Sequence, residues 1–218
     1  MAKIPLFPLP LVLFPGGRLP LKIFEPRYLD MIGQCMRDES GFAIVMIRQG
    51  RQVMVGPDAD QPEICTTGTY VRIIDFDKRD DGVLTVMVEG DVKVKLRERS
   101  SQDDGLMLGD VEFLPLDDDA PVPESLGHLS TLLERFTEHE MVQRLGLQID
   151  YESAVEVGGR LTELLPCPDP VKQFLLELSD PVERLEQQRV HVARVRRVQR
   201  KVATHVRRRA AARRRRLL

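Results

Sequence analysis

Apolar residues follow two different periods along this chain. Up to about residue 114 they alternate with polar residues or form short unbroken runs; beyond residue 123 they recur every three or four positions. Phe42-Ala43-Ile44-Val45-Met46-Ile47 is unbroken and predicts a strand buried on both faces. Thr69 to Phe76 is rich in β-branched and aromatic residues, which suit a pleated surface. Asp80-Asp81-Gly82 supplies hairpin-turn chemistry, and Val83 to Glu89 reads as the returning strand. Gly90-Asp91 predicts another turn, after which Val92 to Arg97 alternates with period two. A further strand is expected around Leu106 to Leu114. Only Pro26 to Arg37 looks helical in this half, with Tyr28, Met31, Ile32 and Cys35 or Met36 on one stripe.

Pro115 to Pro123 is a break in composition and the candidate domain boundary. After it, Leu126, Leu129, Leu132, Leu133, Phe136 and Val142 fit one long helix, and Glu152 to Leu165 a second. Asp169 at an N-cap with Pro170 in the first turn opens a third. Ser179-Asp180-Pro181 opens a fourth, whose apolar stripe continues through Leu185, Val192, Val195, Val198, Val202 and Val206 opposite a basic one. The expected fold class is therefore α+β, with a β-rich part at 1–117, a helical part at 118–187 and a basic C-terminal helix or tail at 188–218.

The first residues carry a long ordered motif: Ile4-Pro5-Leu6-Phe7-Pro8-Leu9, Leu13-Phe14-Pro15-Gly16, Leu19-Pro20-Leu21 and Phe24-Glu25-Pro26-Arg27-Tyr28. It reads as a strand, a tight turn at Pro15-Gly16, an extended segment kept from helix by Pro20, and a helix opened by Pro26. Glu25 precedes proline and is held extended. This string resembles the start of the Lon protease N-terminal domain family, with its P-L-F-P-L, F-P-G, L-P-L and F-E-P-R-Y pattern. Val83 to Leu96, Leu164-Leu165-Pro166, Lys172 to Glu177 and Glu183-Arg184-Leu185 are similar to later parts of the family, so the resemblance spans residues 4 to 187. It implies a PUA-like β-barrel followed by a helical bundle. It further implies a non-catalytic module that binds unfolded or exposed protein segments, here in a free-standing form. A Lon-type protease is then a candidate partner, with an adaptor- or chaperone-like role.

Composition narrows the chemistry. Without Trp and with 5% aromatics, the chain offers no stacking platform for bases. Cys35, Cys65 and Cys167 are too scattered for a disulfide framework or a thiolate metal site and read as reduced thiols. Prolines interrupt the apolar N-terminus, and no window approaches the ~18 apolar residues of a membrane span, so a cytoplasmic location is expected. Gly16 to Lys22 lacks the second glycine of a phosphate loop and places Pro20 where a donor is needed. The four histidines have no zinc spacing, and no nucleophile elbow exists. The acidic groups Asp80-Asp81, Asp103-Asp104 and Asp117-Asp118-Asp119 read as turn-forming and solubilising. No enzyme, cofactor or metal is expected.

Two sets of residues remain. Glu25, Arg27 and Tyr28 either brace the first helix or border a groove that takes extended peptide. The second set is set apart by charge. All 34 acidic residues lie at or before Glu186, so residues 1–188 hold 19 basic against 34 acidic residues, a net −15, while residues 189–218 hold thirteen Lys/Arg. Arg207, Arg208, Arg209, Arg213, Arg214, Arg215 and Arg216 can neutralise phosphates, dock on an anionic membrane surface, or clasp the acidic body of this or a neighbouring copy. Nucleic-acid association is the alternative function, and a homo-oligomer is compatible with the clasp.

Overall fold

The computed structural model describes residues 2–50, 62–78 and 83–193. Six strands form its first half: β1 (Ala2–Leu9), β2 (Arg18–Ile23), β3 (Phe42–Gln49), β4 (Glu63–Lys78), β5 (Leu84–Ser101) and β6 (Met107–Phe113), with helix α1 (Pro26–Arg37) between β2 and β3. The sheet order is β2-β5-β4-β3-β1-β6, and β5 also pairs with β6, so the sheet closes on itself and β2 is left as an edge.

The two prolines of β1 are tolerated because each half of that strand has one strand neighbour. Ala2 to Pro5 pair antiparallel with β6, and Leu6 to Leu9 pair parallel with β3. Pro5 has no N–H to give a ladder, and the pairing with β3 begins one residue after it. β3 is the continuous apolar run expected from sequence, and residues 42–46 are buried. Helix α1 starts at Pro26 and buries Tyr28, Met31, Ile32 and Cys35, whereas Met36 faces outward.

Gly90-Asp91 is not a turn. β5 runs through it without a break, and the register against β4 shifts there, Val71 facing Gly90 and Tyr70 facing Val92. Gly90 is required by a close approach: a Cβ on it would lie 2.3 Å from the Phe14 carbonyl oxygen. Its N–H and C=O meet the glycine pair of the opening motif, through Gly90 N–H to Gly17 O and Gly16 N–H to Gly90 O, both 2.8 Å. Gly16 itself has φ +75°, as the predicted tight turn demands. The Asp80-Asp81-Gly82 turn lies outside the described residues.

The helices are α2 (Gly127–Thr137), α3 (Glu140–Gln143), α4 (Ala154–Leu164), α5 (Asp169–Glu177) and α6, helical over residues 181–193. The single long helix expected over residues 126–142 is broken at His139, which is extended (ψ 130°) and caps α3 by accepting from Met141 N–H. At α5 the cap is Pro168, and Asp169 sits in the first turn. Asp180 caps α6 as expected, accepting from the N–H groups of Val182 and Glu183. Leu126, Leu129, Leu133, Val157, Leu161, Leu185 and Val192 form one apolar core within the helices. A second core joins the two halves: Leu175 and Leu176 of α5 bury against Val12, Phe14 and Met46. The expected continuation of α6 past residue 193 lies outside the described residues.

Candidate functional site

Glu25, Arg27 and Tyr28 come together, and each faces a different way. Arg27 is 8% exposed; it donates to the Glu25 carboxylate at 2.8 Å and to the Gly105 carbonyl at 2.9 Å, and lies 4.7 Å over the Tyr28 ring. The Tyr28 ring packs 4.3 Å from Phe7 in the core, and burial pushes its hydroxyl pKa up. Arg27 therefore ties α1 to the β5–β6 connection, and its other face lines a groove of about 560 Å³.

That groove lies beside Pro5, where the pairing of β1 with β3 ends. Between the first half of β1 and the loop entering β3 the sheet is parted: Lys3, Ile4 and Pro5 form one wall, Gln34 and Arg37 of α1 with Ser40 and Gly41 the other. Tyr70 lies in the parting, where its hydroxyl accepts from Gly41 N–H at 2.6 Å. On the side away from β6, residues 2–5 have no strand neighbour among the described residues. An extended polypeptide can pair with such an edge through its main chain, and side-chain pockets alongside can select what binds.

The junction between sheet and helices is built on the Phe14-Pro15-Gly16-Gly17 turn. Glu163 of α4 accepts from Phe14 N–H at 2.8 Å, and Arg160 donates to the Pro15 carbonyl at 2.6 Å. A Cβ on Gly17 would lie 2.3 Å from the Glu163 carboxylate, so a larger residue here would have to push the Glu163 side chain out of this position. Burial pushes the Glu163 pKa up, against the opposing pull of Arg160, the Phe14 N–H and Lys172.

Nearby, Asp117 bridges two buried cations, Lys93 of β5 at 2.6 Å and Arg184 of α6 at 2.5 Å. Lys93 and Arg184 also donate to the Leu178 carbonyl, and Arg184 Nε to that of Leu175. Burial holds the Lys93 pKa down; Asp117 opposes this, and Arg184 reinforces it. This corrects the solubilising role expected of the Asp117-Asp118-Asp119 run. Asp117 is a buried counter-ion, and Asp119 accepts from Ser153 Oγ and Val155 N–H at the start of α4. The distinguishing signal was Arg184, a cation between Glu183 and Leu185 on the inward stripe of an amphipathic helix.

Burial pushes the thiols of Cys35, Cys65 and Cys167 up, away from the thiolate that would attack or ligate. Among the described residues no three His, Cys, Asp or Glu gather where they could hold a metal, and no helix is long and apolar enough to cross a membrane.

The family model of the ATP-dependent protease La (LON) substrate-binding domain matches residues 3–194. The chain belongs to the Lon substrate-binding domain family. Lon protease 1 of Bacillus subtilis is 24% identical over 190 residues, which are 84% of this chain and 24% of that protein. Lon protease of Brevibacillus choshinensis is 27% identical over 194 residues, with the same two coverages. The chain thus spans about a quarter of the length of these curated relatives. A Lon N-terminal domain protein from Xanthomonas campestris superposes with a TM-score of 0.69 at 34% identity, covering 87% of this chain and 98% of that one. The N-terminal domain of a Mycobacterium avium complex Lon protease shares the fold, with a TM-score of 0.57 at 14% identity, covering 85% and 95%.

In this member of the Lon substrate-binding domain family the opening motif therefore has two structural jobs. Its Pro5 lines the groove where the β1–β3 pairing ends, and its Phe14-Gly17 turn seats the helices. The second predicted set, Arg207, Arg208, Arg209 and Arg213 to Arg216, lies outside the described residues.

Proposed function

We propose that this chain binds unfolded or otherwise exposed protein segments without breaking bonds in them, and that the groove between α1 and the first half of β1 receives them in extended form. The observation that carries the reading is the match to a substrate-binding domain over residues 3–194. The open edge of residues 2–5 supports the location, because an extended client supplies the main-chain donors and acceptors that this edge lacks. Arg27, held by Glu25, forms part of the groove wall, and Tyr28 fixes the helix that carries it. The same reading includes a cytoplasmic setting, an adaptor- or chaperone-like role beside a Lon-type protease, and the division of the chain at residues 117 and 187.

The test is affinity for a reduced, carboxymethylated protein. Gln34→Trp fills the groove from an exposed helix position, and it is expected to weaken binding at least about tenfold, or roughly 1.4 kcal/mol, with an unchanged melting temperature. Undiminished binding by this variant removes the groove; absence of binding by the parent chain removes the function.

A second reading, association with nucleic acid through the tail, is favoured by the thirteen Lys/Arg that follow residue 188 without an acidic residue among them. The net −15 of residues 1–188 opposes it, since the body repels phosphate.

A further inference from the structure

The linker between sheet and helices is flanked by two grooves that share Pro115, Leu116, Asp117 and Asp119. The larger, about 850 Å³, has Leu114, Leu176, Pro181 and Val182 as apolar lining, with Glu177 and Asp180 on its rim. Asp150 and Glu156 line the smaller, about 230 Å³. Asp118, Glu177, Asp180 and Asp150 are exposed, and Leu116 stands 70% exposed on the crest between the grooves. Of the cations here, Lys93 and Arg184 are buried and share Asp117, and Lys95, half-buried on the wall of the larger groove, donates to Thr67 Oγ1, so the exposed carboxylates outnumber the one cation that reaches their side of the linker. The linker is thus an acidic saddle with an apolar ridge.

The same chain carries a polymer of the opposite kind. Residues 194–218 contain twelve Lys/Arg, no acid, and Leu217-Leu218 at the end. They follow α6, whose first turn, at Pro181 and Val182, lines the larger groove. Residues 181–193 rise about 20 Å along that helix. The 25 residues that follow span about 37 Å if helical and up to roughly 80 Å if extended. Either length is enough to double back to the saddle. Guanidinium groups pair with carboxylates in forked geometry and keep their charge at any relevant pH, which suits a rim of separated acids.

We propose that residues 194–218 dock on the acidic saddle of their own molecule. This goes beyond client binding and is independent of it: the saddle and the α1 groove share no lining residue. In the docked state the tail covers Leu116 and neutralises the acids around it. The arginines are then withheld from other polyanions at low salt and released as salt screens the contact.

Tryptic cleavage of the full chain within residues 194–218, followed by intact mass, tests this against a free peptide of the same sequence under the same salt. Cleavage of the chain is expected to be roughly tenfold slower than that of the peptide near 50 mM salt, a docked fraction of about nine-tenths, and equal to it near 500 mM. Asp118→Lys combined with Glu177→Lys, both exposed and outside the buried cluster, removes the protection. In the unaltered chain, carbodiimide coupling of Lys201, the one lysine of the tail, to Asp118 or Glu177 locates the contact without any substitution. Equal cleavage of chain and peptide at low salt overturns the proposal. So does protection that grows with protein concentration, which assigns the tail to a second copy, or protection that arises only when RNA is added.

Discussion

Two buried arginines show how differently this chain uses the same side chain. Arg27 takes its carboxylate from Glu25, two residues away, and its carbonyl from the nearby β5–β6 connection. Arg184 draws on a carboxylate 67 residues distant and on carbonyls of the last turn of α5 and of the residue that follows it, while Asp117 also holds Lys93 of the sheet. The first arrangement fixes one helix in place. The second holds sheet, linker and helices together, and it leaves two cations dependent on one carboxylate. A buried charge that loses its only counter-ion costs far more than a partly exposed pair that loosens, so the two sites differ in consequence although both look like ion pairs.

Asp117→Ala should show the largest effect. It strands Lys93 and Arg184 in the interior, and the expected loss is about 3–5 kcal/mol in urea unfolding. A loss below roughly 1 kcal/mol would mean that the two junction cations are no more demanding than surface charges, and the contrast with Arg27 would collapse.

Glu163→Gln should act next, as a change of slope with pH. The folded protein holds the Glu163 proton more tightly than the unfolded chain does, because burial raises its pKa above the ordinary 4.5. Between 4.5 and that raised value the folded state binds more protons, so this group makes stability fall as pH rises. Gln keeps an acceptor for the Phe14 N–H and has no proton to lose. The stability of the parent relative to the variant should therefore decline as pH is raised above about 4.5, until the folded protein too has lost this proton; parallel pH profiles would refute the assignment.

Arg27→Ala should be the smallest of the three, about 1–3 kcal/mol, because Glu25 is more exposed than Asp117 and can turn to water. Thermal melting of both arginine variants side by side sharpens the comparison: Arg184→Ala should melt well below Arg27→Ala. The reverse order would place the principal brace at α1.

Local rules made much of this molecule legible. The limits of α1 follow from Pro26 and the stripe through Tyr28, Met31, Ile32 and Cys35, and the β3 strand from an unbroken apolar run. The cap of α6 follows from Asp180 before Pro181. The opening motif carried the family resemblance because prolines and glycines restrict the backbone wherever they occur. Gly90 escapes local rules for a related reason: glycine marks a turn and a close approach with the same letter, and only the position of Phe14 distinguishes them.

The sequence by itself determined the α+β order, the starts of α1 and α6, the family and the segregation of charge, since each depends on residues that are neighbours along the chain. The tertiary structure alone decided that a groove opens beside Pro5, that Gly16 and Gly17 meet Gly90, and that Asp117 lies between Lys93 and Arg184. Those outcomes depend on which surfaces pack together, and the burial that gives a charge its partner is a property of the packed whole.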